Sequence, residues 1–363
     1  MIGNRVYFST RLVDWYRANR RELPWRVDRG TPSPYYVLVS EAMLQQTQVA
    51  AARPYFLRFI ERFPTLAALA SAEPQEVLRL WQGLGYYSRA RNLHTTAQIV
   101  IAKYAGVIPS QVDLLMELPG IGRYTAGAIA SLAFEQRAAV LDGNVIRVLC
   151  RVDAIQEDPR RPDVRKRLWQ RAEQLLPDEG AGNFNSGLME LGATICTPRS
   201  AKCMLCPVQG HCQAFSAGMQ DRIPAVQASK ARPIERRWTL CVRCHGKWLI
   251  EQRPTNGRWA GMWQFLTIEA GRGRPTAQQI GKRTGVDVTT PQPLGRIKHD
   301  LTHRRYEFEV FVCQVSGHPV KRPADGTVWA SLVDLSDYPL PRPHLRIADM
   351  LRQRSSTPKG QVR

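Results

Sequence analysis

The sequence predicts a mainly helical first domain followed by a smaller α/β domain. Its 363 residues are enough for about two hydrophobic cores. The first 215 residues repeat apolar side chains at every third or fourth position, with short breaks that contain proline and glycine. The period is then lost in a stretch that carries prolines and several cations, as linkers do. We therefore expect domains at 1–215 and 238–353, a linker at 216–237 and a flexible tail at 354–363.

The helical period of the first domain predicts a series of separate helices. They are expected at roughly 5–20, 34–50, 54–62, 74–82, 87–105, 110–117, 123–135, 143–153, 163–176 and 183–195.

The second domain changes to short β-type runs. Strands are expected at 238–242, 247–251, 306–314 and 327–330, and helices near 276–284 and 343–353. Within the third run, Tyr306, Phe308 and Val310 alternate with Glu307 and Glu309, which is typical of a half-buried strand.

The charge of the chain favours a polyanionic partner. The formal net charge is +20 and the isoelectric point is about 10.1. A basic protein without such a partner is the alternative that charge alone leaves open. Apolar stretches fall short of the roughly 18 residues of a membrane span, and the start lacks the apolar core of a signal peptide. We therefore expect a cytoplasmic monomer without a membrane partner, nucleoid-associated if the source is bacterial, whose eight cysteines form no structural disulfides.

A glycine turn joins two of the expected helices. Leu118-Pro119-Gly120-Ile121-Gly122 combines a fixed proline φ with two flexible glycines. A turn of this kind offers bare N–H groups and a helix N-terminus, which suits a nucleic-acid phosphate. Further on, Asp142-Gly143-Asn144 is a helix start signal.

Four cysteines are clustered at the end of the first domain. Cys196, Cys203, Cys206 and Cys212 are separated by six, two and five residues. Thiolates packed this tightly in a reducing compartment are typical metal ligands, and both zinc and an iron–sulfur cube accept four sulfurs. The spacing alone leaves both open. Cys241 and Cys244 lie three apart in a predicted strand and point to opposite faces, so we interpret them as ordinary strand residues.

Six segments carry a resemblance to a known family. The residues around the glycine turn are similar to helix-hairpin-helix DNA base-excision glycosylases. More specifically, several segments, in order, resemble the MutY-type adenine DNA glycosylases: LPWR (23–26), SEAMLQQTQV (40–49), GLGYYSRARNL (83–93), LPGIGRYTAGAI (118–129), LDGNVIRV (141–148) and LMELGATICTP (188–198). The resemblance implies a mainly α helix-hairpin-helix glycosylase domain with an iron–sulfur loop at 196–212, followed by a Nudix-like α/β domain.

The resemblance also implies a reaction and its catalytic residues. Breaking an N-glycosidic bond requires protonation of the leaving base and stabilisation of a sugar cation, which two carboxyl groups can share. By resemblance, Glu41 protonates the adenine and Asp142 stabilises the cation, supported by Tyr124 and Asn144. Endonuclease III-like enzymes carry a lysine where Tyr124 stands, and tyrosine cannot form an imine. The chain is therefore expected to be a glycosylase without strong lyase activity.

Further residues take roles from the same resemblance. Around the flipped base it places Trp25, Arg26 and Glu190. Residues expected to contact the DNA duplex are Gln46, Thr47, Leu84, Tyr86, Gly120 and Gly122. The metal ligands become a [4Fe–4S] set, Cys196, Cys203, Cys206 and Cys212.

The second domain is expected to recognise the base opposite the adenine. The family's loop reads Phe-Ser-His, and here Leu301-Thr302-His303 stands in that place. Thr302 and His303 are therefore the candidate lesion readers. The region that should hold a glutamate-rich Nudix box, roughly 270–290, lacks those glutamates, which argues against Nudix hydrolysis.

The expected partner is duplex DNA with adenine opposite 8-oxoguanine or guanine. Two alternatives belong to other classes. A bifunctional pyrimidine glycosylase is disfavoured by Tyr124, and a non-catalytic damage-binding protein by the presence of both Glu41 and Asp142.

Overall fold

The computed structural model describes residues 2–26, 30–225, 231–316 and 325–356. The chain forms two compact units. The first consists of Met1–Ser71 with Asn92–Ser229, and the second of Ala72–Arg91 with Lys230–Arg363. A segment of 20 residues that the sequence pattern assigns to the helical domain is thus part of the second unit.

Helices are present in every expected region, with shifts at their ends and one interruption. In chain order they are α1 Ile2–Asn19, α2 Pro34–Leu44, α3 Val49–Arg62, α4 Leu66–Ala70, α5 Pro74–Leu80, α6 Ser88–Tyr104, α7 Val112–Met116, α8 Arg123–Phe134, α9 Gly143–Val152, α10 Pro162–Leu175, α11 Ala181–Thr194 and α12 Gln213–Ser216. Of these, the short helices α4 and α12 were not expected, and α5 and the start of α6 belong to the second unit. In the described part of the chain, no helix is long and apolar enough to cross a bilayer.

One expected helix is interrupted. The pattern predicts a single helix over 34–50, but α2 ends at Leu44 and α3 begins at Val49. Gln46 between them has a φ of 56°, in the left-handed region. No glycine or proline marks this break, so the apolar period continues across it in the sequence.

The core of the first unit is built largely by α9 and α11. Val145 and Leu149 of α9 are fully buried beside Phe184 and Leu188 of α11. The two helices approach very closely at Gly192, where an added Cβ would lie 2.6 Å from the Cβ of Asn144. Only glycine permits this approach.

The second unit contains a six-stranded sheet in its described residues. The strands are β1 Ile234–Cys244, β2 Lys247–Gln252, β3 Trp263–Glu269, β4 Gln292–Asp300, β5 Arg305–Gln314 and β6 Thr327–Ala330, in the order β4-β5-β1-β3-β2-β6. The β1–β5 pair is parallel and the other pairs are antiparallel. Helices α13 Ala277–Thr284 and α14 Arg342–Ser356 complete the unit.

The structure differs from the sequence pattern at several places in this unit. Strands β3 and β4 were not expected, and β1 begins at Ile234, inside the expected linker. Helix α14 extends into the expected tail, of which 357–363 lie outside the described residues. Cys241 is buried in β1 and Cys244 ends the strand half-buried, as expected of strand residues.

Candidate active site

Asp142 caps the N-terminus of α9. Its Oδ1 accepts a hydrogen bond from the Val145 N–H at 2.7 Å, and its Oδ2 accepts one from the Asn144 side-chain amide at 3.0 Å. Burial raises the pKa of Asp142, and these hydrogen bonds oppose the increase because they favour the charged form. The predicted helix start therefore also holds a carboxylate whose two oxygens both accept hydrogen bonds from the protein.

Asn144 is held by an arginine that the sequence reasoning did not single out. Arg147 donates to the Asn144 Oδ1 at 2.9 Å, to the Gly192 carbonyl at 2.7 Å and to the Cys196 carbonyl at 2.7 Å. The side chain thus connects the start of α9 to the end of α11. Arg147 lies one turn after Asp142-Gly143-Asn144 in the sequence, but two of its partners, Gly192 and Cys196, are 45 and 49 residues away in the chain.

Glu41 lies on α2 with only 5 % of its surface exposed. Its Oε2 is buried without a hydrogen-bond partner. Burial raises its pKa to about 7; a hydrogen bond from Tyr124 lowers it, the charge of Asp142 raises it and Arg26 lowers it. A carboxyl group in this environment holds its proton near neutral pH.

Tyr124, at the second position of α8, lies between the two carboxyl groups. Burial and the charges of Glu41 and Asp142 raise its pKa well above the usual value, so the phenol keeps its proton. Its hydroxyl oxygen also lies 3.3 Å from the Met189 sulfur. The side chain is a neutral donor next to both carboxyl groups.

Glu190 is the third carboxylate, and it is paired. Arg21 donates to its Oε1 at 2.5 Å, and Arg26 donates to its Oε2 at 2.9 Å. Burial disfavours its ionisation, but the two arginines outweigh burial and lower its pKa. Arg21 was not predicted. Trp25, buried and packed edge-on against Phe56, forms the neighbouring wall.

One cavity of about 210 Å³ brings these groups together. Eight of the predicted site residues line it: Trp25, Arg26, Glu41, Thr47, Tyr124, Asp142, Asn144 and Glu190. Thr47, which was expected to contact the duplex, lines this cavity, and Gln46 is exposed.

The glycine turn lies outside the cavity. Gly120 has a φ of 78°, and an added Cβ would lie 2.7 Å from the Asn92 side chain. Gly122 has an ordinary φ of −93° and is the N-cap of α8. The first-turn N–H groups of a helix lack intrahelical acceptors, so this turn can bind an anion, but positive φ is required at Gly120 alone.

The four clustered cysteines line a second, small cavity. Cys196, Cys203, Cys206 and Cys212 surround about 30 Å³ next to Arg151. Arg151 donates to the Cys196 sulfur at 3.2 Å and to the Thr197 carbonyl at 2.8 Å. Among the described residues, no three His, Cys, Asp or Glu side chains stand close enough to hold a single metal ion.

The candidate lesion loop lies in the second unit together with Tyr86. The Tyr86 hydroxyl and the Thr302 hydroxyl are 2.5 Å apart, within hydrogen-bond distance. Leu84 is half-buried in the same turn as Tyr86, and His303 is exposed. Leu301 packs against the core of the unit and does not protrude.

Comparison with known proteins defines the class. Residues 39–174 match the HhH-GPD superfamily of base excision DNA repair proteins, and residues 237–350 match the NUDIX domain. The first unit resembles a solved thermostable thymine-DNA glycosylase, with 29 % identity and a TM-score of 0.52 over 59 % of this chain and 98 % of that one. The chain is therefore a base-excision DNA glycosylase that carries a Nudix-like domain.

Full-length relatives define the family more closely. The chain is 38 % identical to the adenine DNA glycosylase of Rattus norvegicus, over 90 % of this chain and 74 % of that protein. It is 31 % identical to the adenine DNA glycosylase of Buchnera aphidicola (from Acyrthosiphon pisum), over 96 % and 99 %. The chain belongs to the adenine DNA glycosylase family.

Proposed function

We propose that this protein removes adenine from duplex DNA where the adenine stands opposite 8-oxoguanine or guanine. The observation that carries the proposal is the pair Glu41 and Asp142, which share one cavity in opposite environments. Glu41 is buried with an unpartnered oxygen, while Asp142 accepts hydrogen bonds from Val145 and Asn144. A buried, unpartnered carboxyl group favours its protonated form, whereas one that accepts hydrogen bonds favours its ionised form, so the pair can supply an acid and an anion.

Glu41 acts as the general acid. Its raised pKa keeps a large fraction protonated near neutral pH, so it can give a proton to a ring nitrogen of the leaving adenine. The C1′–N bond then breaks, and its electron pair leaves with the protonated base. The Glu41 carboxylate that remains can take a proton from the water that attacks the sugar.

Asp142 stabilises the positive charge that develops on the sugar. Its hydrogen bonds hold the carboxylate in place, and Arg147 holds Asn144 in turn. Tyr124 supplies a neutral hydroxyl between the two carboxyl groups. An electrostatic group fixed before the reaction need not reorganise during it.

The same site argues against strand cleavage. Lyase chemistry requires an amine that forms a Schiff base with the sugar. The second position after the glycine turn holds Tyr124, and among the described residues no lysine lines the cavity. Borohydride should therefore fail to trap a covalent complex with DNA, whereas a bifunctional glycosylase would be trapped.

The cysteine cavity fits an iron–sulfur cube better than zinc. A single zinc ion needs its four sulfurs about 2.3 Å from one centre. In the described residues no three His, Cys, Asp or Glu side chains are grouped closely enough to hold one metal ion, whereas four thiols line one cavity. A [4Fe–4S] cluster gives each thiolate its own iron, so its ligands stand further apart. Cys196, Cys203, Cys206 and Cys212 would hold the cluster, whose role would be to stabilise the fold of this loop.

Metal analysis tests the cluster. Purified protein should be brown and contain about four irons per chain, as a [4Fe–4S] cluster requires. Cys206→Ser should lose iron and DNA affinity, while Cys150→Ser, at a buried cysteine outside the cavity, should keep the iron. Colourless protein with one zinc would contradict the assignment.

The contact between Tyr86 and Thr302 supports recognition of the opposite base by the second unit. The Tyr86 side chain is 46 % exposed, so its ring is available to stack in the duplex. Its hydroxyl engages Thr302, whose neighbour His303 is free to meet a purine edge. A base that cannot pair with these polar groups would leave them unsatisfied, which is how such a site discriminates.

Release of free adenine from defined duplexes is the decisive test. The wild-type protein should release adenine from duplexes with adenine opposite 8-oxoguanine and opposite guanine. Glu41→Gln should abolish release but keep duplex binding, and Glu61→Gln, at an exposed position of α3, should behave as wild type. Normal release by Glu41→Gln would refute the assigned acid, and no release by the wild type would refute the function.

A further inference from the structure

An open cavity of about 900 Å³ lies at one end of the sheet in the second unit. Its walls carry a group of charged residues, Glu235, Arg236, Arg237, Arg258, Glu269 and Arg304. Four arginines against two glutamates leave these walls with a formal charge of +2. None of these residues belongs to the cavity that holds Glu41 and Asp142.

The sheet and one loop build this cavity around a tyrosine. Arg237 lies on β1 opposite Glu269 of β3, and Tyr306 lies near the start of the adjacent strand β5. The guanidinium of Arg237 is 5.9 Å from the centre of the Tyr306 ring, and that of Arg258 is 5.2 Å away. Arg258 also donates to the Tyr306 hydroxyl. The ring therefore has two cations within 6 Å of its centre.

The positive charge is only partly neutralised. Glu235 is shared by Arg237, at 2.9 Å, and Arg304. Within the described ranges, Arg258 has no carboxylate partner within 4.0 Å. The Nε of Arg304 is buried without an acceptor. Arg236 and Arg237 also have carboxylates at longer range, Glu307 at 3.6 Å and Glu269 at 3.7 Å. Since a guanidinium has five N–H donors, Arg258 and Arg304 keep donors that these carboxylates do not use.

We propose that this cavity, the arginine pocket, binds a phosphate of the DNA backbone in the strand that carries the base opposite adenine. The inference rests on the proposed function of Thr302 and His303. Arg304 belongs to the same turn, in which the Leu301 N–H donates to the Arg304 carbonyl at 2.9 Å.

The turn places the phosphate contact close to the base contact. The Cα atoms of Thr302 and Arg304 are at most about 7.6 Å apart, because consecutive Cα atoms are 3.8 Å apart. A base read by Thr302 would thus bring its own backbone to Arg304. Planar guanidinium groups match phosphate oxygens with two hydrogen bonds each. The open mouth of the pocket suits a passing strand better than an enclosed free nucleotide.

The salt dependence of duplex binding tests the pocket. Each phosphate contact contributes about 0.9 to the slope of log K against log salt. The double variant Arg258→Gln/Arg304→Gln removes one phosphate contact and should therefore lower this slope by about 1 and weaken binding at low salt about tenfold. Arg243→Gln, at the far end of β1, removes the same type of charge outside the pocket and should leave the slope unchanged.

The full chain should be used with a duplex that carries 8-oxoguanine opposite a tetrahydrofuran abasic site. That duplex has no adenine to release, so binding is measured apart from catalysis. The double variant Arg258→Lys/Arg304→Lys keeps the positive charge and should recover most of the slope. This recovery would show that the glutamine variant loses slope through its lost charge and not through a folding defect. An unchanged slope in the glutamine variant overturns the proposal.

A second arm distinguishes the source of the phosphate. If the slope is unchanged but binding of deoxyguanosine diphosphate is lost, the pocket serves a free nucleotide and the DNA assignment is wrong. Failure of the pocket and failure of the proposed function are separable. Wild-type release of adenine reports on the function whatever the slope does, and the slope reports on the pocket whatever the release rate.

Discussion

Three carboxyl groups in one cavity, two buried and one half-buried, show how far environment controls a single functional group. Glu190 is paired with Arg21 and Arg26, and its pKa is lowered. Asp142 accepts hydrogen bonds at the start of a helix, which oppose the effect of burial. Glu41 has an unpartnered oxygen, and its pKa is raised to about 7. The number of hydrogen-bond and ion-pair partners therefore decides whether a carboxyl group at this site favours the ionised form, as Glu190 does, or the protonated form, as Glu41 does.

The raised pKa of Glu41 predicts a pH-dependent stability. Its pKa is about 7 in the folded protein against an ordinary value of 4.5, so between these values the folded chain holds a proton that the unfolded chain has lost. The stability contribution is complete below pH 4.5 and is lost as pH rises through about 7. Glu41→Gln should therefore be more stable than wild type at pH 8, by roughly 1–3 kcal/mol, and similar at pH 4.5.

Urea unfolding at the two pH values measures this difference. Glu61→Gln controls for loss of an exposed charge. Equal stabilisation at both pH values would contradict a neutral Glu41. Over the same range, the rate of base release by the wild type should fall as pH rises above about 7, because the acid loses its proton.

At the scale of elements, α9 connects the catalytic cavity to the cysteine loop. Asp142 caps its start, Arg147 donates to Asn144 and to the Cys196 carbonyl, and Arg151 donates to the Cys196 sulfur. These contacts tie the geometry of the carboxylate to the position of the loop. We therefore expect a displacement of the loop to shift the start of α9 as well.

Gly192→Ala should disturb the site from outside the cavity. The added methyl would lie 2.6 Å from the Asn144 Cβ, which is not the free end of a flexible side chain, so α9 or α11 must move. We expect single-turnover base release to fall at least tenfold, since a displacement of about 1 Å can cost a hundredfold. Gly281→Ala in α13, with its nearest contact at 3.6 Å, is the matched control. Normal turnover with normal DNA affinity would show that the contact is not required.

The sequence predicted features that depend on adjacent residues better than features that depend on residues far apart in the chain. Asp142-Gly143-Asn144 marked a helix start because capping is a property of adjacent residues. The break at Gln46 was missed because the residue adopts a φ of 56° without a glycine or proline to mark it in the sequence. Strand β4 was missed because it is mostly exposed and its sequence, QPLGRIKHD, has no apolar alternation. The link from Arg147 to Cys196 spans 49 residues, so no local pattern contains it.

At the scale of the whole molecule, the net charge of +20 governs binding. Contacts of lysine and arginine side chains with DNA phosphates release counterions, so the affinity for DNA should fall steeply as the salt concentration rises. If 6–10 phosphates are contacted, affinity should drop about 10³- to 10⁵-fold between 50 and 200 mM salt. Fluorescence anisotropy with a labelled duplex measures this, and a flat response would contradict a phosphate-based footprint.

The assignment of residues 72–91 to the second unit has a consequence for synthesis on the ribosome. This segment hydrogen-bonds to late parts of the chain, with Gln75 donating to the Gly261 carbonyl and Arg91 to the Ala260 carbonyl. At about 5–20 residues per second, it emerges roughly 7–28 s before residue 230. During that time Trp81, fully buried in the finished protein, has no completed core to enter. The nascent chain must keep this stretch from aggregating, which makes it a natural substrate for a co-translational chaperone.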